Sequence, residues 1–330
     1  MTTPGVIPYD ITYAGKYYLR ELAEKIVLEE SLDEVAMRGT ISLAVTPDLP
    51  AIAAGQGVTI TGRPFGATTG QVTLLDGVVW EARSSLRRIK HLDLTIYDRT
   101  IYLARSEDEY LFNEGMTATA IIKRIAGDWG VQLGTIATAG VPLAKQVFRA
   151  RTLYEMMFSV LKETAAKGGT LCRLRMSGQK LELVPLGSNT TVWKLETDTN
   201  IEELIQSRTL EGTVTKVKVL GAAIDDERSP QLAVVTGETG KYGTLQRVLI
   251  DEQLESTGQA KTAGEKLLAG LQETFSVTCV DINTVRAGDA VELNGMKLIV
   301  AGVRHELGSP GHMVCDLAGI DYVRRHFYAA

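Results

Sequence analysis

Short segments in which polar and apolar residues alternate recur along the chain, and they constrain the fold more than any other feature. Thr40–Val45 is the clearest case, because every second side chain is apolar, the period of a half-buried strand. Pro47 and Pro50 end this segment, since proline cannot donate to a strand ladder. Similar segments are 16–19, 25–28, 57–60, 72–75, 78–80 and 92–97. The first third of the chain is therefore predicted to be β, as a barrel or a sandwich.

Polar and glycine-containing stretches between these segments are predicted to be turns. Glu29–Glu34 is polar throughout except for one leucine, and Asp76–Gly77 has the composition of a tight turn. A basic cluster falls in a predicted hairpin connection further on and consists of Arg83, Arg87, Arg88 and Lys90. No aromatic residues are interleaved with it, so contact with protein or solvent is favoured over nucleic-acid binding.

The pattern changes to a helical period after Gly115. Thr117–Trp129 places Ile121, Ile122 and Ile125 on one face, and Gly130 follows where a left-handed C-terminal cap is expected. A second helix is predicted from Thr152, because Thr152 and Glu155 have the spacing of a capping box. A hairpin is predicted over 171–184, so residues 116–199 read as a small α+β segment.

Strand-like patterns return from about residue 200, interrupted by one predicted helix over 258–273. The predicted fold class is therefore mainly β with an α+β insert. Its domains are predicted to be 1–115 (β), 116–199 (α+β) and 200–330 (β with one helix).

Several protein classes are excluded or disfavoured by composition. The apolar runs are strand-sized, as in 297–303, and far shorter than the ~20 residues of a membrane span. Residues 1–5 lack the basic and apolar regions of a secretory signal. Cys172, Cys279 and Cys315 lie far apart, which favours free thiols in a reducing compartment over a disulfide framework.

Motifs that carry chemistry are scarce, and no catalytic, cofactor-binding or metal-binding residue is predicted. Nucleophile-elbow and zinc-protease motifs are missing from the sequence. His305 and His312 flank the turn 308–311, so they face each other across a predicted hairpin. One alternative is therefore a metal-dependent hydrolase in which these histidines bind a metal together with Asp316 or Glu306.

The net charge of −5 conceals an uneven distribution. Residues 1–115 carry −5, residues 116–199 carry +5 and residues 200–330 carry −5. The acidic charge thus falls on the two predicted β regions and the basic charge on the α+β segment between them.

An ordered series of short motifs resembles the baseplate hub proteins of contractile phage tails, particularly those of Bacillus defective prophages and related phage-tail-like bacteriocins. The resemblance covers nearly the whole chain and depends on the order and spacing of its parts. These parts are Gly57–Val58, Asp76–Val79, Leu94–Asp98, Tyr102–Leu103, Thr117–Ile125, Thr152–Tyr154, Gly295–His305 and His312–Leu317.

The resemblance implies a non-enzymatic protein with two tube-forming β-barrel-like domains that flank or carry a small α+β domain. Three copies form a ring that adapts the six-fold tail tube to the three-fold spike. The implied partners are the spike, the tube or tube-initiator protein, other baseplate proteins and the tape-measure protein in the lumen; a membrane and specific nucleic-acid binding are not implied. The resemblance also implies assembly in the bacterial host cytoplasm, and we expect the spike and any cell-wall hydrolase to be separate chains.

Two expectations depend on this resemblance. A trimer gathers the acidic β regions around one channel, where like charge keeps a polyanion from binding the wall, and leaves the basic segment outside the ring.

The remaining alternative is a β-rich carbohydrate-binding tail protein that uses Trp80, Trp129 and Trp193. Two of these tryptophans lie in or beside segments with apolar partners, which favours core positions for them.

Overall fold

The protein forms two compact units in a computed structural model that describes residues 9–86, 90–222, 229–251, 254 and 256–329. The first unit combines Met1–Ile205 with Phe275–Ala330, and the second is Gln206–Thr274. Residues 1–5, Arg87 and Arg88 lie outside the described residues. The three-domain division at residues 115 and 199 stays a prediction.

Strands dominate the first third of the chain, which is mainly β. They are separated by a short 3-10 turn, Arg20–Leu22, and by one helix. The elements are β1 (Tyr9–Tyr13), β2 (Tyr17–Tyr18), β3 (Ala23–Ser31), β4 (Arg38–Ala44), β5 (Gly57–Gly62), β6 (Val72–Leu86), β7 (Lys90–Asp98), α1 (Thr100–Arg105) and β8 (Glu107–Phe112).

The α+β segment has its own apolar core, and both of its predicted helices are confirmed. Thr152 Oγ1 accepts from Glu155 N at 3.2 Å while Thr152 N donates to Glu155 Oε2 at 3.1 Å, so the predicted capping box forms. Gly130 has φ +63°, the left-handed conformation predicted for it. The elements are α2 (Ala118–Asp128), β9 (Leu133–Ile136), β10 (Gln146–Thr152), α3 (Leu153–Ala166), β11 (Cys172–Ser177) and β12 (Lys180–Pro185).

The last part of the chain is again mainly β. Its elements are β13 (Trp193–Leu195), β14 (Ile201–Thr209), β15 (Lys216–Leu220), β16 (Gln231–Thr236), α4 (Thr239–Tyr242), β17 (Gln246–Ile250), α5 (Thr257–Leu267), β18 (Gln272–Val280), β19 (Ala290–Leu293), β20 (Met296–Leu307), β21 (His312–Ala318) and α6 (Ile320–Phe327). The helix predicted over 258–273 is too long. Leu268 turns extended, with φ −62° and ψ 132°, and Ala269 then pairs with Val214.

One sheet of 13 strands joins the two β regions. Its order is β14-β18-β21-β20-β3-β4-β7-β6-β5-β1-β2, with β19 paired to β20 and β13 to β19. The junction is the antiparallel pair β20–β3, in which Val303 lies opposite Glu30 and Leu307 opposite Ile26. Each region keeps a separate core, one centred on residues 9–94 and the other on 195–317. The predicted fold class, mainly β with an α+β insert, is confirmed.

The second unit is small and contains a three-stranded sheet, β16-β15-β17. Its buried face carries Val217 and Val219, which pack with Ala260 of α5. The predicted return of β structure after residue 200 thus includes this separate sheet as well as the large one.

One predicted turn is only partly right and another is wrong. The turn predicted over Glu29–Glu34 begins at Leu32, after β3 has ended at Ser31. Glu29 and Glu30 belong to β3, where Glu29 lies in register with Arg38 of β4 and Arg304 of β20; these paired charges make a polar stretch compatible with a strand. Asp76 and Gly77 lie inside the continuous strand β6. Glycine is required there for close approach, because a Cβ at Gly77 would lie 2.3 Å from Tyr97 O.

Within the described residues, no helix has the length and apolar character needed to cross a membrane. The three cysteines are free and buried, and burial raises the pKa of the Cys172 thiol to about 11.

Candidate functional site

His305 and His312 do not form the metal site of the alternative hydrolase interpretation. His305 lies opposite Met313 and His312 opposite Glu306, so the two histidines occupy successive positions along the hairpin and point to opposite faces of the sheet. His312 is exposed and lies 3.1 Å from Glu202, whereas His305 is buried. Across the described parts of the chain, no group of three or more histidine, cysteine or acidic side chains has metal-binding geometry.

His305 instead belongs to a buried polar network. Its Nδ1 lies 2.6 Å from Asp281 Oδ1 and its Nε2 lies 2.9 Å from the Val285 carbonyl oxygen. Tyr9 OH donates to Asp281 Oδ2 at 3.4 Å; burial, followed by the Asp281 charge, raises the pKa of Tyr9 to about 12. The network connects β1, β20 and the loop after β18, so it holds these three elements together.

The motif residue Asp98 also has a structural role. Its Oδ1 accepts from Thr100 N at 3.0 Å and its Oδ2 accepts from Met37 N at 3.2 Å. Burial raises the pKa of Asp98, although the hydrogen bonds from Thr100 oppose this. Asp98 thereby joins the end of β7 to the start of α1.

Two of the three tryptophans are more exposed than predicted. Trp80 is 41% exposed and Trp129 is 43% exposed, so the expectation that two tryptophans lie in the core is wrong. Trp193 is half-buried and meets Phe65 edge-on, with 5.7 Å between ring centroids. Of the predicted basic cluster, Arg83 and Lys90 are exposed at the ends of β6 and β7.

A buried cluster of charged side chains was not predicted from the sequence. Glu30 is 3% exposed. Its carboxylate lies 3.0 Å from Arg173 Nη2 and accepts two bonds of 2.6 Å from Arg286. Ala287 N adds a further hydrogen bond to Glu30 Oε2 at 3.1 Å. The Glu30 carboxylate thus connects the first predicted segment with the other two, through Arg173 in residues 116–199 and Arg286 and Ala287 in residues 200–330.

The surroundings of this cluster keep Glu30 ionised. Burial acts to raise the pKa of Glu30, but the charges of Arg173 and Arg286 and the hydrogen bonds lower it to about 2. Arg173 also donates to the Ala287 carbonyl at 2.5 Å, and Arg286 N donates to Asp289 Oδ2 at 3.0 Å. Buried ions persist when they are paired and hydrogen-bonded in this way.

This depressed pKa predicts a specific acid sensitivity. The folded-state pKa of Glu30 lies below its ordinary value of 4.5, so its stabilising contribution is complete above about pH 4.5 and is lost as the pH falls toward 2. Between about pH 5.5 and 3.5, the wild type should lose about 1 kcal/mol more unfolding free energy than Glu30→Gln. Urea unfolding of both proteins at these pH values measures this; a difference that does not change with pH would contradict the prediction.

The two ends of the large sheet form a second candidate site. Among the described residues, β14 and β2 at the two ends of the main strand order each have a strand partner on one side only, as does β13 at the end of the branch through β19. Ile205 on β14 is 56% exposed, and Tyr18 on β2 is 79% exposed. Unpaired strand edges of this kind can pair with another chain.

Comparison with known proteins gives relatives from Bacillus subtilis strain 168. YqbQ is 31% identical over 204 residues, covering 60% of this chain and 61% of that protein. The phage-like element PBSX protein XkdQ is 29% identical over 204 residues, covering 60% of this chain and 62% of that protein. The chain thus spans about three-fifths of the length of the relatives it matches.

Solved structures share the fold at low sequence identity. The 43 kDa tail protein of prophage MuSo2 from Shewanella oneidensis superposes with a TM-score of 0.72 at 15% identity, covering 96% of this chain and 99% of that chain. The Escherichia coli c3393 protein superposes with a TM-score of 0.56 at 10% identity, covering 94% and 78%. That protein is a type VI secretion system component with structural similarity to the T4 tail proteins gp27 and gp5.

The family assignment comes from a family model that covers most of the chain. The model described as YqbQ-like matches residues 31–314. This range includes Arg173 and Arg286, the two arginine partners of Glu30, and the complete strands β4 to β20. The chain belongs to the YqbQ-like family.

Proposed function

We propose that this protein is a structural, non-enzymatic component of the baseplate of a phage tail or phage-tail-like particle. The PBSX relative belongs to a phage-like element, and the MuSo2 protein that shares the fold is a tail protein. The fold of c3393 extends the likeness to a type VI secretion component.

Within that particle, we propose a trimeric hub that adapts a six-fold tube to a three-fold spike. The observation that carries this proposal is the single sheet that joins two β regions and has unpaired strands at both ends. When one end of a copy pairs with the other end of the next copy, the contact is head-to-tail, and such contacts close into a ring if the rotation allows it. Three copies then present six β regions.

The proposed partners are the tube or tube-initiator protein, the spike, other baseplate proteins and the tape-measure protein in the lumen. The acidic charge of both β regions, −5 each over residues 1–115 and 200–330, supports a channel wall that repels polyanions. The basic segment between them, with +5 over residues 116–199, suits an outer position beside acidic neighbours.

Ring formation is tested by the mass of the purified protein in solution. We expect a particle of three 35.8 kDa chains. Ile205→Lys should shift the protein toward monomer, because a lysine on an end strand disfavours pairing with another chain. Light scattering coupled to size-exclusion chromatography measures the mass of the wild type and of the variant.

The matched control is Ile250→Lys, since Ile250 is 62% exposed and lies on the separate sheet of the second unit. This variant should keep the wild-type mass. A wild-type chain that stays monomeric and binds neither spike nor tube protein would overturn the hub proposal.

A further inference from the structure

A cleft of about 350 Å³ in the first unit has two exposed aromatic side chains in its lining. They are Tyr102 of α1, 44% exposed, and Trp129 at the end of α2, 43% exposed. Val131 is half-buried and contributes apolar surface to the same cleft, whereas the lining residues Leu103, Leu153 and Met176 are buried. Exposed aromatic rings beside an apolar surface are costly to leave in water, which makes such a cleft a candidate binding site.

The aromatic side chains are held in place by the surrounding structure. Trp129 Nε1 donates to Asp108 Oδ2 at 3.1 Å, so the indole is fixed by a hydrogen bond on the strand β8. Trp80 meets Tyr102 edge-on with 6.3 Å between ring centroids, and Tyr97 with 6.2 Å. The rings therefore form a preorganised surface, which lowers the entropic cost of binding.

A β-bulge places Trp80 in this cluster. The register between β6 and β7 shifts between Val79 and Glu81, so Trp80 is the extra residue of β6 at that point. Bulges redirect a side chain and are frequent beside functional sites. Trp80 extends the aromatic surface beyond Tyr102.

Polar side chains with planar end groups also line the cleft: Arg99, Gln132 and Gln179. Gln179 Nε2 donates to Asp76 Oδ2 at 3.4 Å, and Arg99 Nε lies 3.9 Å from Asp76 Oδ1. Guanidinium and amide groups can donate two hydrogen bonds at once to neighbouring oxygens. The lining thus combines aromatic faces, an apolar surface and paired donors.

We propose that this cleft binds an N-acetylated hexose unit of a glycan. A pyranose ring offers an apolar C–H face to an aromatic ring and adjacent hydroxyls to planar donors. Its acetamido methyl suits the apolar surface of Val131 in the same lining. A proline-rich peptide is the other ligand class that aromatic grooves bind. The three planar polar side chains favour the sugar, because a pyranose presents several adjacent hydroxyl oxygens whereas each proline residue offers only its main-chain carbonyl oxygen. This site is independent of ring formation.

Isothermal titration with N-acetylglucosamine tetramer, maltotetraose and a proline-rich decapeptide tests the proposal on the full-length protein. We expect saturable binding of the N-acetylated tetramer and weaker binding of maltotetraose, which lacks the acetamido group. Trp129→Ala and Tyr102→Ala should each weaken this binding about tenfold or more. Trp129→Phe should retain part of it, because the aromatic face remains.

Phe65→Ala is the matched control, since Phe65 is also 43% exposed but lies outside the cleft lining; its affinity should equal that of the wild type. Thermal melting of each variant verifies that a lost signal reflects the site and not unfolding. The proposal is overturned if neither sugar binds, if the peptide binds in place of the sugar, or if folded Trp129→Ala and Tyr102→Ala variants bind like the wild type.

Discussion

Glu30→Ala should lower the free energy of unfolding by about 3–5 kcal/mol, the cost of breaking a buried ion pair by removing one partner. The carboxylate is only 2% exposed, and it forms ion pairs with both Arg173 and Arg286, whose side chains are 8% and 19% exposed. Alanine leaves both guanidinium groups in a largely buried site without this carboxylate. Urea unfolding at neutral pH measures the loss.

Glu29→Ala supplies the matched control, because the two glutamates are neighbours on the same strand. Glu29 pairs with Arg38 and Arg304, whose side chains are 40% and 45% exposed, and solvent screens such pairs. Its loss should cost no more than about 1 kcal/mol. Equal destabilisation by the two substitutions would show that burial of the Glu30 cluster does not contribute to stability.

Ile121→Asp should prevent soluble expression. Ile121 is fully buried in the core of the α+β segment, and Leu161 in the same core is 1% exposed. Leu161→Asp should therefore also prevent soluble expression. Loss of the apolar contacts alone costs about 2–5 kcal/mol. The buried, unpaired carboxylate adds a further penalty, and together they approach the total stability of about 5–15 kcal/mol of a typical domain.

Lys123→Asp tests whether the effect depends on the face of the helix, because Lys123 lies on the exposed side of α2. This variant should be soluble and close to wild type in stability. Ile121→Val should still fold, so that the effect of a change at this position can be measured. We expect it to lower the free energy of unfolding by about 0.5–1.5 kcal/mol. Ordinary yield and thermal stability of Ile121→Asp would contradict the core assignment.

Local signals predicted the helices of the α+β segment well, because their determinants lie within a few residues. The capping box of α3 needs only Thr152 and Glu155, and the buried face of α2 follows from the spacing of its isoleucines. The strand Leu94–Asp98 likewise buries Leu94, Ile96 and Asp98 on one face, as the period of two indicates.

Features that depend on distant residues were missed. Glu30 has its partners 143 and 256 residues away, so nothing nearby distinguishes it from a solvated turn residue. Gly77 has the composition of a turn but serves the close approach of β6 to β7. The exposure of Trp80 depends on a bulge in a strand pair, and a single sequence carries no direct signal for a bulge.

The pairing of β20 with β3 also determines how late in synthesis the large sheet can be completed. Strand β3 is synthesised before its neighbour Met296–Leu307, which emerges some 270 residues later. At about 5–20 residues per second, the open side of β3 waits on the order of tens of seconds for its partner. Neighbouring nascent chains on the same messenger RNA therefore each expose the unpaired edge of β3 during this interval. We expect misassembly between nascent chains to occur mainly then, because an exposed strand edge can pair with another chain.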